Sequence, residues 1–428
     1  MRNDSDAALR CDIFCNVIDN YGDIGVCWRL ARQLANEHGL AVRLWVDDLS
    51  ALTKLCPEAD TALDKQKCRG VEVCLWRKAF PDVQPGDLII EAFACLLPES
   101  YIDAMAAQAQ QPIWINLEYL SAEDWVEGCH KLPSPHPTLP LTKYFFFPGF
   151  TTQTGGLLLE RDLLARRDAF QNEAIQQQAF WQSIGMEMPA AKTLKISLFG
   201  YENAALPGLF DAWTAAAQPV LCLVPEGRIL PQVGQYFGDP APHAGSDYVR
   251  GNLHVRVLPF VEQECYDPLL WVCDINFVRG EDSCVRALWA GRPFVWQIYP
   301  QHDAVHLKKL EAFLMSYSEQ LSPSAKEAVQ GLWQAWNSGN LNPQTPLDPP
   351  LSGGRGQSPP LIRGGREGFS SAAAGQAAWS VSGPAWPAFV AARGELERHT
   401  QHWSRQLAGN NLALNLLDFC REIGRMRA

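Results

Sequence analysis

Short β-rich runs alternate with helix-period segments along this chain, and the alternation stops once and then starts again. No other feature limits the fold as strongly, because strands separated by helical stretches pair in parallel and need helices on both faces of their sheet. The first round has β-rich runs at residues 11–18, 40–46, 71–76, 87–93, 112–117 and 144–147, with helices predicted at 23–37 and 99–108. Within 23–37 the apolar residues Ile24, Cys27, Leu30, Ala31 and Leu34 recur at three- and four-residue steps, the spacing of one helix face. A turn-rich segment, Thr151-Thr152-Gln153-Thr154-Gly155-Gly156, precedes a long amphipathic stretch at 159–183. The alternation then resumes at 193–198, 219–224, 253–258, 274–278 and 293–298. The sequence therefore predicts an α/β fold with two Rossmann-like domains, residues 1–188 and 189–407, facing each other across a cleft. Further helices are predicted at 387–407 and 411–423, and a C-terminal helix within about 408–428 is expected to pack back on the first domain.

One segment breaks the pattern. Residues 342–383 are rich in Pro, Gly, Ser and Ala and carry a near-repeat, Pro349-Pro350-Leu351-Ser352-Gly353-Gly354-Arg355 followed by Pro359-Pro360-Leu361-Ile362-Arg363-Gly364-Gly365-Arg366. Such a segment buries too little to order itself and reads as a disordered insert in the second domain.

Charge and cysteine content narrow the function. Thirty-six Lys and Arg against 47 Asp and Glu leave a net charge of −11, which disfavours nonspecific nucleic-acid or anionic-membrane binding. No run approaches the roughly 18 apolar residues of a membrane span, and the start Met1-Arg2-Asn3-Asp4-Ser5-Asp6 lacks the order of a signal peptide, so the cytoplasm is expected. The 13 cysteines contain no Cys-x-x-Cys pair and read as buried free thiols in a reducing compartment.

Two strand-to-helix junctions are candidates for chemistry. Asp19-Asn20-Tyr21-Gly22-Asp23-Ile24-Gly25 joins the first strand to the first helix, where doubly wound sheets bind ligands. Its spacing is equally that of a turn at Asp19-Asn20 and a helix cap at Asp23. It is no Gly-x-Gly-x-x-Gly fingerprint, and its acidic pair would repel a pyrophosphate and suit a cation or a proton. The second junction, Val278-Arg279-Gly280-Glu281-Asp282-Ser283-Cys284, can hold a diphosphate through helix N–H groups, the Ser283 hydroxyl and Arg279. Glu281 and Asp282 are also simple complements to a helix dipole. Phe260, Gln263 and Tyr299 flank that junction and offer a base two rings and an amide; core packing is the competing role for Phe260. Metal binding is not expected: His302 and His306, and His399 and His402, read as surface histidines, and Asp4-Ser5-Asp6 as tail.

Four sets of residues carry a resemblance. Asp19-Asn20-Tyr21-Gly22-Asp23-Ile24-Gly25-Val26-Cys27-Trp28-Arg29-Leu30, Phe147-Pro148-Gly149-Phe150-Thr151 with Thr154-Gly155-Gly156-Leu157, Phe199-Gly200-Tyr201-Glu202, and Arg279-Gly280-Glu281-Asp282-Ser283 are similar to the bacterial elongation factor P arginine rhamnosyltransferases. The likeness spans both domains and omits the insert. It implies a GT-B type glycosyltransferase, inverting and metal-independent, without a cofactor, moving L-rhamnose from dTDP-β-L-rhamnose to an arginine of elongation factor P. It implies catalytic roles for Asp19, as general base, and for Asp23 and Glu281. It implies diphosphate binding by Asp282 and Ser283, a thymidine pocket of Phe260, Gln263, Arg279 and Tyr299, and donor-side positions for Phe199 and Tyr201. Asn20, Tyr21 and Gly22 fall in the substrate-binding loop. The residues agree in kind, since a guanidinium is protonated in water and needs flanking carboxylates to become a nucleophile. Two other readings remain open here. One is a glycosyltransferase with another nucleotide sugar and a saccharide or lipid acceptor; the other is a nonenzymatic nucleotide-sensing module.

Overall fold

A computed structural model describes residues 8–18, 21–300, 305–339 and 381–427. Asp19 and Asn20, His302, and most of the predicted insert lie outside the described residues.

The strands form two sheets. β1 (Arg10–Cys15), β2 (Ala41–Val46), β3 (Lys65–Cys68), β4 (Val71–Leu75), β5 (Leu88–Ala92), β6 (Ile113–Leu117), β7 (Pro133–Pro135) and β8 (Thr142–Phe146) make an eight-stranded sheet in the order β3-β4-β2-β1-β5-β6-β8-β7. β9 (Leu194–Leu198), β10 (Val220–Pro225), β11 (Asp247–Arg250), β12 (Leu253–Leu258), β13 (Ile275–Arg279) and β14 (Phe294–Gln297) make a six-stranded one in the order β11-β12-β10-β9-β13-β14. Each sheet winds outward both ways from its first strand, so the strand order reverses beside β1 and beside β9, the places where such sheets leave a crevice. The inner strands are buried on both faces: all five residues of β5 and of β13 are buried, as parallel strands under two helix layers must be.

The sequence pattern found every inner strand and missed β3, β7 and β11. These are antiparallel edge strands. Their residues are mostly exposed, so they carry no apolar alternation to detect. The stretch predicted as one amphipathic element at 159–183 is two helices, Leu163–Asn172 and Ala174–Ser183, separated by Glu173 in an extended conformation. The break is stabilised locally, because Gln177 Nε2 in the second helix donates to the carbonyls of Phe170 and Gln171 at the end of the first, at 3.2 and 3.0 Å.

The chain ends in two helices on different cores. Trp386–Leu407 buries Trp386, Phe389, Leu396 and Trp403 with the second sheet's cluster, whereas Leu412–Arg427 buries Leu412, Leu416, Phe419 and Ile423 with the first sheet's. Their junction is tied to the segment between the sheets: Asn410 Nδ2 donates to Thr151 O at 2.6 Å and Asn415 Nδ2 to Gly155 O at 3.0 Å. Gly156, at φ +80°, lies where a side chain would run into the Asn410 carbonyl. The Thr154-Gly155-Gly156-Leu157 motif is thus a fastening of the C-terminal helices.

Candidate active site

The site lies where the first helix, Gly22–Asn36, meets the helix Gly280–Ala290. On the second domain's side β13 ends at Arg279, and Gly280 turns the chain with φ +66°, a conformation that L side chains rarely adopt. Trp296 Nε1 fixes that turn by donating to Gly280 O at 2.8 Å. Glu281, Asp282 and Ser283 follow in the first helical turn, where unpaired backbone N–H groups collect. The Arg279 guanidinium is buried among rings, 4.5 Å from the Tyr201 centroid, 4.7 Å from Phe199 and 5.7 Å from Tyr21. Beside it opens a cavity lined by Tyr21, Phe199, Phe260, Gln263, Arg279 and Ser283 among others. Phe260 leans on Tyr21 at 4.8 Å between centroids, so a ring from each domain closes one end.

On the first domain's side, Asp23 is buried but does not cap the helix. The cap residue is Tyr21, without a side-chain cap bond, because the helix begins at Gly22 and carries Asp23 inside its first turn. There Asp23 Oδ2 accepts the Ile18 N–H at 2.9 Å. Tyr119, which follows β6, lies nearby; burial, with Asp23 and Glu281 beside it, pushes that phenol above its ordinary range. The next residue, Leu120, donates its N–H to Glu281 Oε2 at 2.9 Å. Asp23 and Glu281 come from different domains and converge on one loop.

Deeper in the contact the two helices exchange charges. Arg29 grips Asp282 with Nε and Nη2 at 2.8 and 3.1 Å and reaches Glu160 Oε1 with Nη1 at 2.8 Å. Arg286 completes the chain, at 2.6 Å from Glu160 Oε2 and paired with both oxygens of Asp267 at 2.7 and 2.5 Å. Burial alone would raise the two carboxyls; Arg286 and Arg29 hold Glu160, and Arg29 holds Asp282, below the usual carboxylate range. Gln263 Nε2 bridges the domains as well, donating to Gly25 O at 2.9 Å and to Asp282 Oδ2 at 3.3 Å, which leaves Gln263 Oε1 a buried acceptor without a partner among the described residues.

Of the sequence-predicted residues, Tyr21, Gly22, Phe199, Phe260, Gln263, Arg279, Asp282 and Ser283 share that cavity. Tyr201 borders it through Arg279. Tyr299 packs edge-on against Tyr201, 5.6 Å between centroids, so it does not share a cavity wall with Phe260. The Asp282 carboxylate is an anionic acceptor committed to Arg29 and offers a diphosphate no donor, so what this residue can contribute to one is its backbone N–H. Sequence reasoning missed Tyr119, Arg29 and Glu160. Tyr119 was findable, since it sits at a strand's carboxyl end like the loop that was singled out.

Among the described residues no group of three or more His, Cys, Asp or Glu side chains could hold a metal ion, and no helix is long and apolar enough to cross a membrane. All 13 cysteines are free thiols, and only Cys129 and Cys265 are not buried.

Comparison with known proteins bears on this arrangement. A family described as elongation-factor P (EF-P) rhamnosyltransferase EarP matches residues 11–421. A protein-arginine rhamnosyltransferase of Pseudomonas putida is 50% identical over 412 residues, covering 96% of this chain and 98% of its own. One from Pseudomonas aeruginosa is 52% identical, covering 77% and 87%. A solved structure concerning EarP-mediated arginine glycosylation of translation elongation factor EF-P is 36% identical, with a TM-score of 0.63 over 97% of this chain and 99% of that one.

Proposed function

The chain belongs to the EF-P rhamnosyltransferase family, and from that premise we propose that it moves L-rhamnose from dTDP-β-L-rhamnose to the guanidinium of one arginine in elongation factor P. It is a glycosyltransferase of the GT-B kind, with two Rossmann-like sheets. A nonenzymatic nucleotide sensor does not fit that family. The observation that carries the finer reading is the convergence of Asp23 and Glu281 on the loop after β6, next to a cavity whose other wall offers rings, an amide oxygen and helix N–H groups.

A guanidinium has a pKa above about 12 and is a poor nucleophile until a proton leaves it. In this reading Asp23 and Glu281 fix the guanidinium, and Asp19 accepts the proton as one nitrogen attacks the anomeric carbon. The bond from that carbon to the diphosphate oxygen breaks, and its electron pair leaves with dTDP. A single in-line displacement inverts the configuration. The leaving charge is met by the amides that open the Gly280–Ala290 helix and by the Ser283 hydroxyl. Gln263 Oε1 suits the N3–H of thymine, and Phe260 offers the base a ring. No cofactor or metal enters this scheme, and a translation factor as acceptor places it in the cytoplasm.

Intact-mass analysis of elongation factor P incubated with the protein and dTDP-rhamnose tests it. The expected result is a gain of one rhamnosyl group on an arginine, unchanged by excess EDTA and absent with a UDP-hexose. An unmodified acceptor, or loss of the reaction with EDTA, overturns the donor–acceptor assignment or its metal independence respectively.

A further inference from the structure

We propose that Arg69, at the tip of the β3–β4 hairpin, is a positioning residue for the donor: from the first domain it holds segment 260–264 of the second, which offers the base its ring and amide, so that nucleotide affinity depends on a charge outside the nucleotide's own domain. This rests on the reading of the cavity beside Arg279 as the nucleotide site.

The hairpin aims the side chain. β3 and β4 pair antiparallel with Cys68 opposite Val71, which leaves Arg69 and Gly70 as a two-residue turn. Both have positive φ, +44° and +89°, as the two central residues of a type I′ turn require. Asn36, the last residue of the first helix, lies against this turn and donates from Nδ2 to Arg69 O at 3.1 Å. Arg69 is not a glycine, so its left-handed backbone carries strain that the surrounding contacts sustain, and such positions cluster where a side chain must be directed.

That side chain reaches the other domain. Arg69 Nη2 donates to Glu262 Oε2 at 3.2 Å, Nη1 stands 2.9 Å from Glu264 Oε1, and Nε donates to Glu58 Oε1 of its own domain at 3.3 Å. Arg32 of the first helix joins it on Glu264, Nη1 donating to Oε1 at 2.6 Å. Between the two glutamates lies Gln263, whose Nε2 donates to Gly25 O, and just before them Phe260 rests on Tyr21. Phe260, Glu262, Gln263 and Glu264 are thus all tied to the first domain. Leu55, at the end of the helix Leu49–Leu55, lines the same cavity, so the first domain supplies part of its wall as well.

Arg69 itself does not line the cavity. It acts through Glu262 and Glu264, which bracket the first residue of the helix Gln263–Val272. Holding both fixes how that helix starts, and with it the direction of Gln263 Oε1 and of the Phe260 ring. Glu262 occupies the N-cap position without making a side-chain cap bond, so its carboxylate serves Arg69 in place of the helix.

Arg69→Ala removes both pairs to the segment. The side chains are partly exposed, 19% for Arg69, 31% for Glu262 and 54% for Glu264, and an ion pair of that kind is worth up to about a factor of five. Calorimetric affinity for dTDP should fall about five- to ten-fold at low salt and the KM for dTDP-rhamnose should rise by the same factor, while kcat at saturating donor stays at the wild-type value. Salt separates this role from mere packing. The screening length shrinks from about 10 Å at 0.1 M to about 3 Å at 1 M, so the gap between wild type and Arg69→Ala should close as salt rises, whereas lost packing would persist. Arg69→Lys keeps a charge on the same turn and should recover part of the affinity. Glu262→Gln tests the other end of the pair: alone it should weaken dTDP binding, and combined with Arg69→Ala it should cost less than the product of the two single losses. Unchanged dTDP affinity in Arg69→Ala, a gap that salt does not close, or losses that simply multiply would each overturn the proposal. A wild-type protein without affinity for dTDP would overturn the donor reading and this proposal with it; wild-type binding beside an unaffected Arg69→Ala leaves that reading standing and removes only the role of Arg69.

Discussion

The first helix and the Gly280–Ala290 helix meet in two places that are built on opposite principles. At their starts, Tyr21, Gly22, Arg279 and Ser283 line a cavity, and Gln263 presents an oxygen with no partner among the described residues. Further along, Arg29, Asp282, Glu160, Arg286 and Asp267 are saturated by one another in nearly ideal bidentate geometry. The same residue classes are present in both regions. What separates them is what they face: the starts border a cavity that a substrate can enter, while the deeper groups face one another and fix where the starts stand.

The largest expected effect is on turnover at the starts. Asp19→Asn and Asp23→Asn should each lower kcat by about 10²–10⁴-fold, the cost of a lost acid–base group or of an uncompensated guanidinium. Because Asp23 caps nothing, and an Asn oxygen can still accept the Ile18 N–H, Asp23→Asn should leave the melting temperature unchanged. A large drop in melting temperature would place Asp23 among the architectural charges instead.

Next in size is the deeper contact. Arg29→Met leaves Asp282 and Glu160 short of their shared partner, and breaking a buried pair by removing one side costs about 3–5 kcal/mol. Urea unfolding should show that loss, and dTDP affinity should fall with it only if the domains come apart. The pH dependence has a definite sign. Both carboxyls sit below their unfolded values of about 3.9 and 4.3, so their stabilisation is full above that range and is lost as pH falls through the depressed folded values. Wild-type stability should therefore drop steeply below about pH 4, and Arg29→Met should show a shallower decline. Equal slopes in the two proteins would mean that the network is not what acid attacks.

The difference between the regions also explains what the sequence discloses. Inner strands such as β5 and β13 announce themselves because burial on both faces demands unbroken apolar runs. The edge strand β7 announces nothing, because two of its three residues are exposed prolines. The turn at Gly280 was legible as a strand end running into a helix start. The deeper network was not, since Arg29 and Asp282 are 253 positions apart and no local spacing links them. A charged residue among the buried positions of an amphipathic helix was the available sign.

The smallest effect concerns Phe260, which both lines the cavity and packs across the domain contact. Its ring is half-buried, leans on Tyr21 across the domain contact and lines the cavity. Stacking on an aromatic side chain is worth roughly 1–3 kcal/mol per base, so Phe260→Ala should weaken calorimetric dTDP binding about ten-fold or more. A ring used only to seal the domains would give another pattern, with stability falling and affinity for dTDP unchanged. Phe260→Leu distinguishes the two, because leucine fills most of the volume without offering a flat face. If it restores stability and leaves dTDP binding weak, the ring stacks on the base; if it restores both, Phe260 acts as packing between the domains, and Gln263 and Arg279 carry recognition of the base without it.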